Sequence, residues 1–102
     1  MNIIGLPITA RFIRKHPRAK QPLEKWISLV QAQTWSKFTD IKKTFNTADY
    51  FRGFVIFDIH GNDFRLIAVV LYTSQDLIIK EVFTHAEYDE WNKQMRKRGS
   101  RK

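Results

Sequence analysis

The spacing of apolar residues changes period once along the chain, and the change divides it into a helical first half and a sheet-forming second half. Leu23, Trp26, Ile27 and Val30 recur as one face of a helix, and Pro22 suits its first turn. A shorter helix is predicted over Arg11 to Lys15, ending near His16-Pro17, because the residue before a proline avoids helical backbone. Thr39 is placed as the cap of a further helix from Asp40 to Phe45. Beyond these, Phe54 to Ile59, Phe64 to Tyr72 and Leu77 to Phe83 are rich in β-branched and aromatic residues. They are separated by the turn-like segments His60-Gly61-Asn62-Asp63 and Thr73-Ser74-Gln75-Asp76, which predicts an antiparallel meander. Asn2 to Ile4 is a candidate edge strand. The middle run is apolar on both faces apart from Arg65, as expected of a central strand covered by helices on one side and by a further element or a partner on the other. Thr84-His85-Ala86-Glu87 reads as a capping box opening a last helix through Tyr88, Trp91 and Met95. The fold class is therefore α+β: N-terminal helices followed by an antiparallel β-meander and a C-terminal helix.

The length of 102 residues sets this pattern in a single expected domain, 1–102, with a basic tail at about 97–102 after the helix-compatible stretch ends at Gly99-Ser100. The absence of cysteine excludes thiol catalysis, zinc fingers and an oxidised secreted scaffold. The apolar run ending at Tyr72 is far shorter than the roughly 20 residues of a membrane helix, and the first residues lack a signal-peptide pattern. The expectation is a soluble cytoplasmic protein of a bacterium, without a membrane partner.

Charge adds a functional direction. A formal net charge of +8 on a chain this small attracts polyanions. The bases are concentrated at the two ends. Arg11, Arg14, Lys15, Arg18, Lys20 and Lys25 stand against Glu24 alone, and Lys93, Arg96, Lys97, Arg98, Arg101 and Lys102 face no acid. The segment 53–92 holds only Arg65 and Lys80 among many acids. An isolated charge run is commonly a solvated face, but two basic ends around an acidic middle favour a nucleic-acid surface. Arg11, Arg14, Lys15, Lys80, Lys93, Arg96, Lys97 and Arg98 are its candidate contacts.

Few residues offer chemistry. Arg65 stands near the start of an apolar strand, so its guanidinium must reach a sheet edge, a ligand phosphate or a carboxylate among Asp58, Asp63 and Glu81. His85 falls at the first position of the capped helix, where the helix dipole favours the neutral imidazole that can accept a proton. Tyr88 and Asp89 can share its face, although Tyr88 fits equally into the apolar stripe with Trp91 and Met95. His60, in the first hairpin turn beside Gly61, is either a plain turn residue or a second titrating group. The three histidines show no metal-binding pair spacing, and no phosphate loop, serine-nucleophile motif or paired carboxylates appear, so neither metal nor cofactor is expected. Trp26 and Trp35 are assigned to the core rather than to base stacking. Cationic ends, a strand arginine, a helix-start histidine and a tyrosine are parts sufficient for cleaving RNA through its own 2′-hydroxyl.

The pattern His16-Pro17, Leu23, Trp26, Trp35, Asp40-Ile41-Lys42, Phe45, Ala48-Asp49, then Phe57-Asp58-Ile59-x-Gly61-Asn62-x-x-Arg65-Leu66-Ile67 and Thr84-His85-Ala86-Glu87-Tyr88-Asp89, resembles HigB-type toxins of the RelE/ParE-like group. The resemblance covers about residues 16–91. It implies a RelE/ParE-like α+β fold and cleavage of mRNA during translation on the ribosome. It also implies neutralisation by a HigA-type helix-turn-helix antitoxin, through which the toxin meets operator DNA indirectly. Within it, Arg65 matches the strand arginine that contacts the scissile phosphate, His85 falls where a functional basic residue stands, and Tyr88 matches more weakly. The strand lysines of RelE-like toxins have no counterpart, and His60 stands where many HigB relatives carry lysine. A ribosome-dependent endoribonuclease is thus expected. A non-catalytic RNA- or DNA-binding regulator and a gyrase-directed ParE-like toxin are the alternatives.

Overall fold

The computed structural model describes residues 1–99, with side chains through Lys97. In chain order the elements are β1 (Asn2–Ile4), α1 (Leu6–Lys15), a 3₁₀ turn (Pro17–Ala19), α2 (Lys20–Gln31), α3 (Phe38–Thr44), β2 (Asp49–Phe51), β3 (Phe54–Ile59), β4 (Phe64–Leu71), β5 (Asp76–Thr84) and α4 (His85–Gly99). The strands form one sheet in the order β1-β5-β4-β3-β2. Every neighbouring pair is antiparallel except β1 with β5, which is parallel. The parallel pairing needs a crossover, supplied by the helices between β1 and β2. Gly5 starts it: its φ of 104° is left-handed, and a Cβ there would stand 3.0 Å from the backbone oxygen of Ile79.

Alternation along the strands sorts side chains between two layers. Val55, Phe57 and Ile59 of β3, with Phe64, Leu66 and Ala68 of β4, join Leu23, Trp26 and Val30 of α2 in the main core. Aromatic edges set its geometry: Trp26 meets Phe57 at 5.2 Å, Phe45 meets Phe57 at 5.3 Å, and Phe12 of α1 meets Phe64 at 5.3 Å, all near perpendicular. Ile56 and Ile67 alternate away from that core and are buried on the opposite face. There α4 lies across the sheet, its Trp91 ringed by Phe51, Phe54, Phe83 and Tyr88 at 5.7–6.3 Å. The second cover expected over the central strand is thus the chain's own last helix.

The capping box is present in both directions: Thr84 N–H donates to Glu87 Oε1 at 2.8 Å and Glu87 N–H to Thr84 Oγ1 at 3.3 Å. Four expectations are corrected. Thr39 lies inside α3 rather than capping it; Lys37 holds the cap position, and Asp40 turns back to accept from Ser36 N–H at 2.9 Å. β2 was absent from the sequence reading, being short, polar at Asp49 and joined to β3 by a tight left-handed turn at Arg52-Gly53. The hairpin of β4 and β5 pairs Leu71 with Asp76, so its turn runs from Tyr72 to Gln75, one residue earlier than the expected Thr73 to Asp76. A bulge at Ile67/Ala68 leaves Lys80 as the extra residue and moves the partner of Arg65 on from Val82 to Phe83. Finally, α4 continues through Gly99, so 97–99 are helical and not tail; 100–102 lie outside the described residues. No helix among the described residues is long and apolar enough to cross a membrane.

Candidate active site and nucleic-acid surface

The tip of the hairpin joining β3 and β4 gathers the candidate chemistry. His60 and Gly61 both take left-handed backbone, at φ 56° and 62°, which folds the connection tightly enough for Asp63 N–H to reach the carbonyl of His60 at 3.2 Å. Because Arg65 and Asp58 are opposite each other in register, their side chains share a face, and Arg65 Nε donates to Asp58 Oδ1 at 3.1 Å. Nη1 reaches the carbonyl oxygens of Phe64 at 3.1 Å and Gly61 at 3.4 Å, and Nη2 donates to Asn62 Oδ1 at 3.1 Å. The guanidinium therefore fastens the turn it would act beside. Among the described residues the second N–H of Nη2 has no acceptor.

Above this fork lies Tyr88, with the Arg65 guanidinium carbon 5.5 Å from its ring centre. Tyr88 also stacks on Trp91, so both readings of Tyr88 hold at once: it belongs to the packed stripe and it covers Arg65. Burial pushes its phenol above the ordinary tyrosine value; Asp49 adds to the rise, Arg65 and Arg96 oppose it, and Asp58 adds a last contribution. The hydroxyl is accordingly a proton donor at neutral pH.

The histidines stand on either side of the same turn. His60 Nδ1 lies 2.7 Å from Asp63 Oδ2, which also takes a hydrogen bond from Arg18 at 3.1 Å. The backbone carbonyl of Asp63 accepts from His85 N–H at 3.1 Å, tying the start of α4 to the turn. The His85 ring is half exposed and sits 3.4 Å from Asp89 Oδ2 one helical turn on. Arg65 thus touches both Asp58 and Tyr88, whereas the two histidines meet at Asp63, His85 through its backbone N–H and His60 through its ring, and among the described residues no contact brings either imidazole onto the Arg65 fork. Among the described residues no His, Asp and Glu side chains form a group of three able to hold one metal ion.

The candidate RNA contacts divide between the two faces of the sheet. Arg11, Arg14 and Lys15 are exposed on α1, on the side of the main core. Arg11 and Lys15 line a cleft of about 250 Å³ that also contains Glu81 and Glu87. Lys93, Arg96 and Lys97 belong to α4 on the other face. Arg96 is partly spoken for, stacked 5.1 Å from the Phe51 ring and donating to Asn92 Oδ1 at 3.0 Å. Lys80 is exposed in the bulge of β5. The side chain of Arg98 lies outside the described set. The expected single basic surface is therefore two surfaces. Trp26 and Trp35 are core residues, each 2% exposed.

Of the three carboxylates the sequence offers to Arg65, the structure selects Asp58, equidistant from the hairpin turn, while Asp63 pairs with His60 and Arg18. Asn62 as a partner of the fork, and Arg18, Lys20 and Lys25 as a group, are not legible in the sequence. The clustering of Arg18, Lys20 and Lys25 around His60 depends on how α2 lies on the sheet, and the sequence carries no signal for that.

A five-stranded sheet with helices on one face, a terminal helix on the other and an arginine-centred hairpin tip is compatible with the RelE-like class of small toxins. Residues 19–91 match the HigB toxin family, described as the RelE-like toxic component of a toxin-antitoxin system, and the chain belongs to that family. The mRNA interferase toxin HigB of Escherichia coli K12 is 32% identical over 78 residues, which cover 74% of this chain and 75% of the relative. The mRNA interferase HigB of Shigella flexneri matches to the same extent. A further mRNA interferase HigB, from Escherichia coli O6:H1, is 25% identical over 92 residues, 87% of this chain and 89% of the relative.

Proposed function

We propose that this chain is an endoribonuclease toxin that cleaves mRNA on the translating ribosome, in the cytoplasm, and is held inactive by a HigA-type helix-turn-helix antitoxin bound to the operator DNA of their shared operon. The observation that carries this reading is the Arg65 fork beneath Tyr88, joined through the hairpin turn to His60 and His85. The named relatives are mRNA interferases, and the net charge of +8 suits a nucleic-acid substrate.

In this mechanism the His85 imidazole takes the proton of the ribose 2′-hydroxyl. The resulting oxygen attacks the adjacent phosphorus, and the open N–H of Arg65 stabilises the charge gathering on the non-bridging oxygens. Tyr88, kept protonated by its burial, gives its proton to the departing 5′-oxygen. The bond from phosphorus to the 5′-oxygen breaks, leaving a 2′,3′-cyclic phosphate and a 5′-hydroxyl. Arg11, Arg14, Lys15, Lys80, Lys93, Arg96, Lys97 and Arg98 hold the protein on the ribosomal RNA around the message. The whole of 1–102 acts as one domain.

Induction in growing cells followed by mapping of transcript 5′ ends tests this. Growth arrest with new ends inside translated regions is expected. Folded Arg65→Ala and His85→Ala variants should lose about 100- to 1000-fold in cleavage rate, as for loss of a charge-stabilising donor or a proton acceptor. Near wild-type cleavage by His85→Ala moves the base to His60, across the same turn. Intact transcripts with DNA damage would instead support a gyrase-directed toxin, and RNA binding without new ends a regulator.

A further inference from the structure

On the far side of the hairpin tip from Arg65, two clefts meet. One, of about 400 Å³, is lined by Pro22, Trp26, Leu29 and Phe45 and closed at its mouth by Lys25 and His60. The other, of about 450 Å³, shares Pro22, Lys25 and His60 with the first and adds Arg18 and Lys20. An apolar slot therefore opens directly into a cationic one.

The polar groups of the two clefts point to the same kind of occupant. The indole N–H of Trp26 is fully buried and has no hydrogen-bond partner, although every other buried side-chain polar atom among the described residues has one. Burying a donor unpaired costs free energy that an acceptor atom would recover. In the adjoining cleft Arg18 and His60 share the carboxylate of Asp63. Among the described residues Lys20 and Lys25 have no acidic partner within ion-pair distance. Flat apolar walls, one of them the indole that carries the unpaired donor, suit a heteroaromatic ring bearing a carbonyl or ring nitrogen. Two unpaired ammonium groups next to it suit a phosphate.

We propose that these clefts form a nucleotide subsite, the base entering beside Trp26 and its phosphate resting on Lys20 and Lys25. The inference rests on the RNA-directed reading above and deepens it, since a nucleotide held here lies across the His60–Asp63 turn from Arg65. The Trp26 N–H is closed to solvent in the free protein, so the base reaches it as the slot widens; Leu29, exposed among the lining residues, is a flexible side chain able to yield. Asp58, which also borders the slot, is already engaged by Arg65 on the opposite face of the sheet.

The test uses the full chain labelled with ¹⁵N, titrated separately with adenosine, guanosine, cytidine and uridine 5′-monophosphates, with ribose 5-phosphate and inorganic phosphate as baseless probes. At least one nucleotide should shift the indole N–H resonance of Trp26, which Trp26→Phe identifies by its disappearance, while the baseless probes shift only amides around Lys20 and Lys25. The surface variant Lys20→Glu/Lys25→Glu should bind that nucleotide at least about tenfold more weakly, the loss expected for a charged hydrogen bond. The proposal is overturned if no nucleotide moves the Trp26 indole, if ribose 5-phosphate moves it as far, or if the charge-reversed variant binds as well as the original. The measurement involves neither ribosome nor cleavage, so its failure leaves the transcript-mapping result untouched. Failure of the cleavage reading leaves this binding result equally intact.

Discussion

Replacing Arg65 has two consequences that must be separated, because the same guanidinium fastens the hairpin and faces the open edge of the site. The Arg65 side chain is 11% exposed and that of Asp58 25%, so their pair lies between the surface and buried extremes. A surface pair is worth about 0–1 kcal/mol, whereas deleting one partner of a fully buried pair costs about 3–5 kcal/mol. Arg65→Ala should therefore destabilise by about 2–3 kcal/mol, since it also strips the donors from the Gly61 and Phe64 carbonyls. Asp58→Ala should cost less, about 1–2 kcal/mol, because the guanidinium keeps its three oxygen partners in the turn. Domains of this size are stable by roughly 5–15 kcal/mol, so both variants remain folded at 25 °C. Urea unfolding of the wild type, both single variants and the double variant closes a cycle whose coupling should be about 1–2 kcal/mol. A coupling below about 0.5 kcal/mol would refute the claim that Asp58 anchors the fork. If Arg65→Ala is unfolded at 25 °C, its loss of toxicity says nothing about chemistry.

Other outcomes follow from the same geometry. Association with ribosomes should weaken by orders of magnitude between about 50 and 200 mM salt if several of the basic residues touch phosphate, and co-sedimentation across that range checks it. Because the folded Tyr88 phenol titrates above its ordinary value of 10.0, its contribution to stability is complete below that pH and is lost as pH rises through the folded value. Tyr88→Phe should therefore reduce the loss of stability seen in urea titrations as pH rises above about 10. Tyr72, raised chiefly by burial, acts in the same direction over the same window. Thr84→Ala should cost about 1 kcal/mol and speed amide exchange in the first turn of α4, which hydrogen-exchange measurements read directly.

The sequence was most informative where a local pattern and the global fold agree. β3 has the predicted limits because its apolar run is closed on one side by Gly53 and on the other by His60-Gly61, and α4 starts where its capping box says it should. β2 escaped because three residues with a polar first position carry no period. The register beside Arg65 is not legible either, because it depends on where the turn after Leu71 closes and on a bulge set by twist and packing in the whole sheet, which no hairpin count contains. At the site, Arg65 and Tyr88 could be picked out as individual residues, but their stacking is set by the crossing of α4 over β4. The Trp26 cleft was hidden for the opposite reason: an indole on an apolar helix face looks like ordinary core until its N–H is found without a partner.

Trp91 gives α4 a dynamic meaning. The helix is polar around most of its circumference, and its largest apolar contact with the sheet is that one indole against Phe51, Phe54 and Phe83, beside the cation–π contacts of Tyr88 with Arg65 and of Arg96 with Phe51. Detaching a large aromatic side chain from its packing costs about 3–5 kcal/mol, which corresponds to release of α4 in roughly one molecule in 10² to 10⁴ at any instant. Tyr88 sits one turn before Trp91, so each such release also lifts the phenol off the guanidinium. The fraction of time during which the proposed Arg65–Tyr88 cluster is assembled thus depends on an indole outside it, and Trp91→Leu is expected to slow cleavage from a distance.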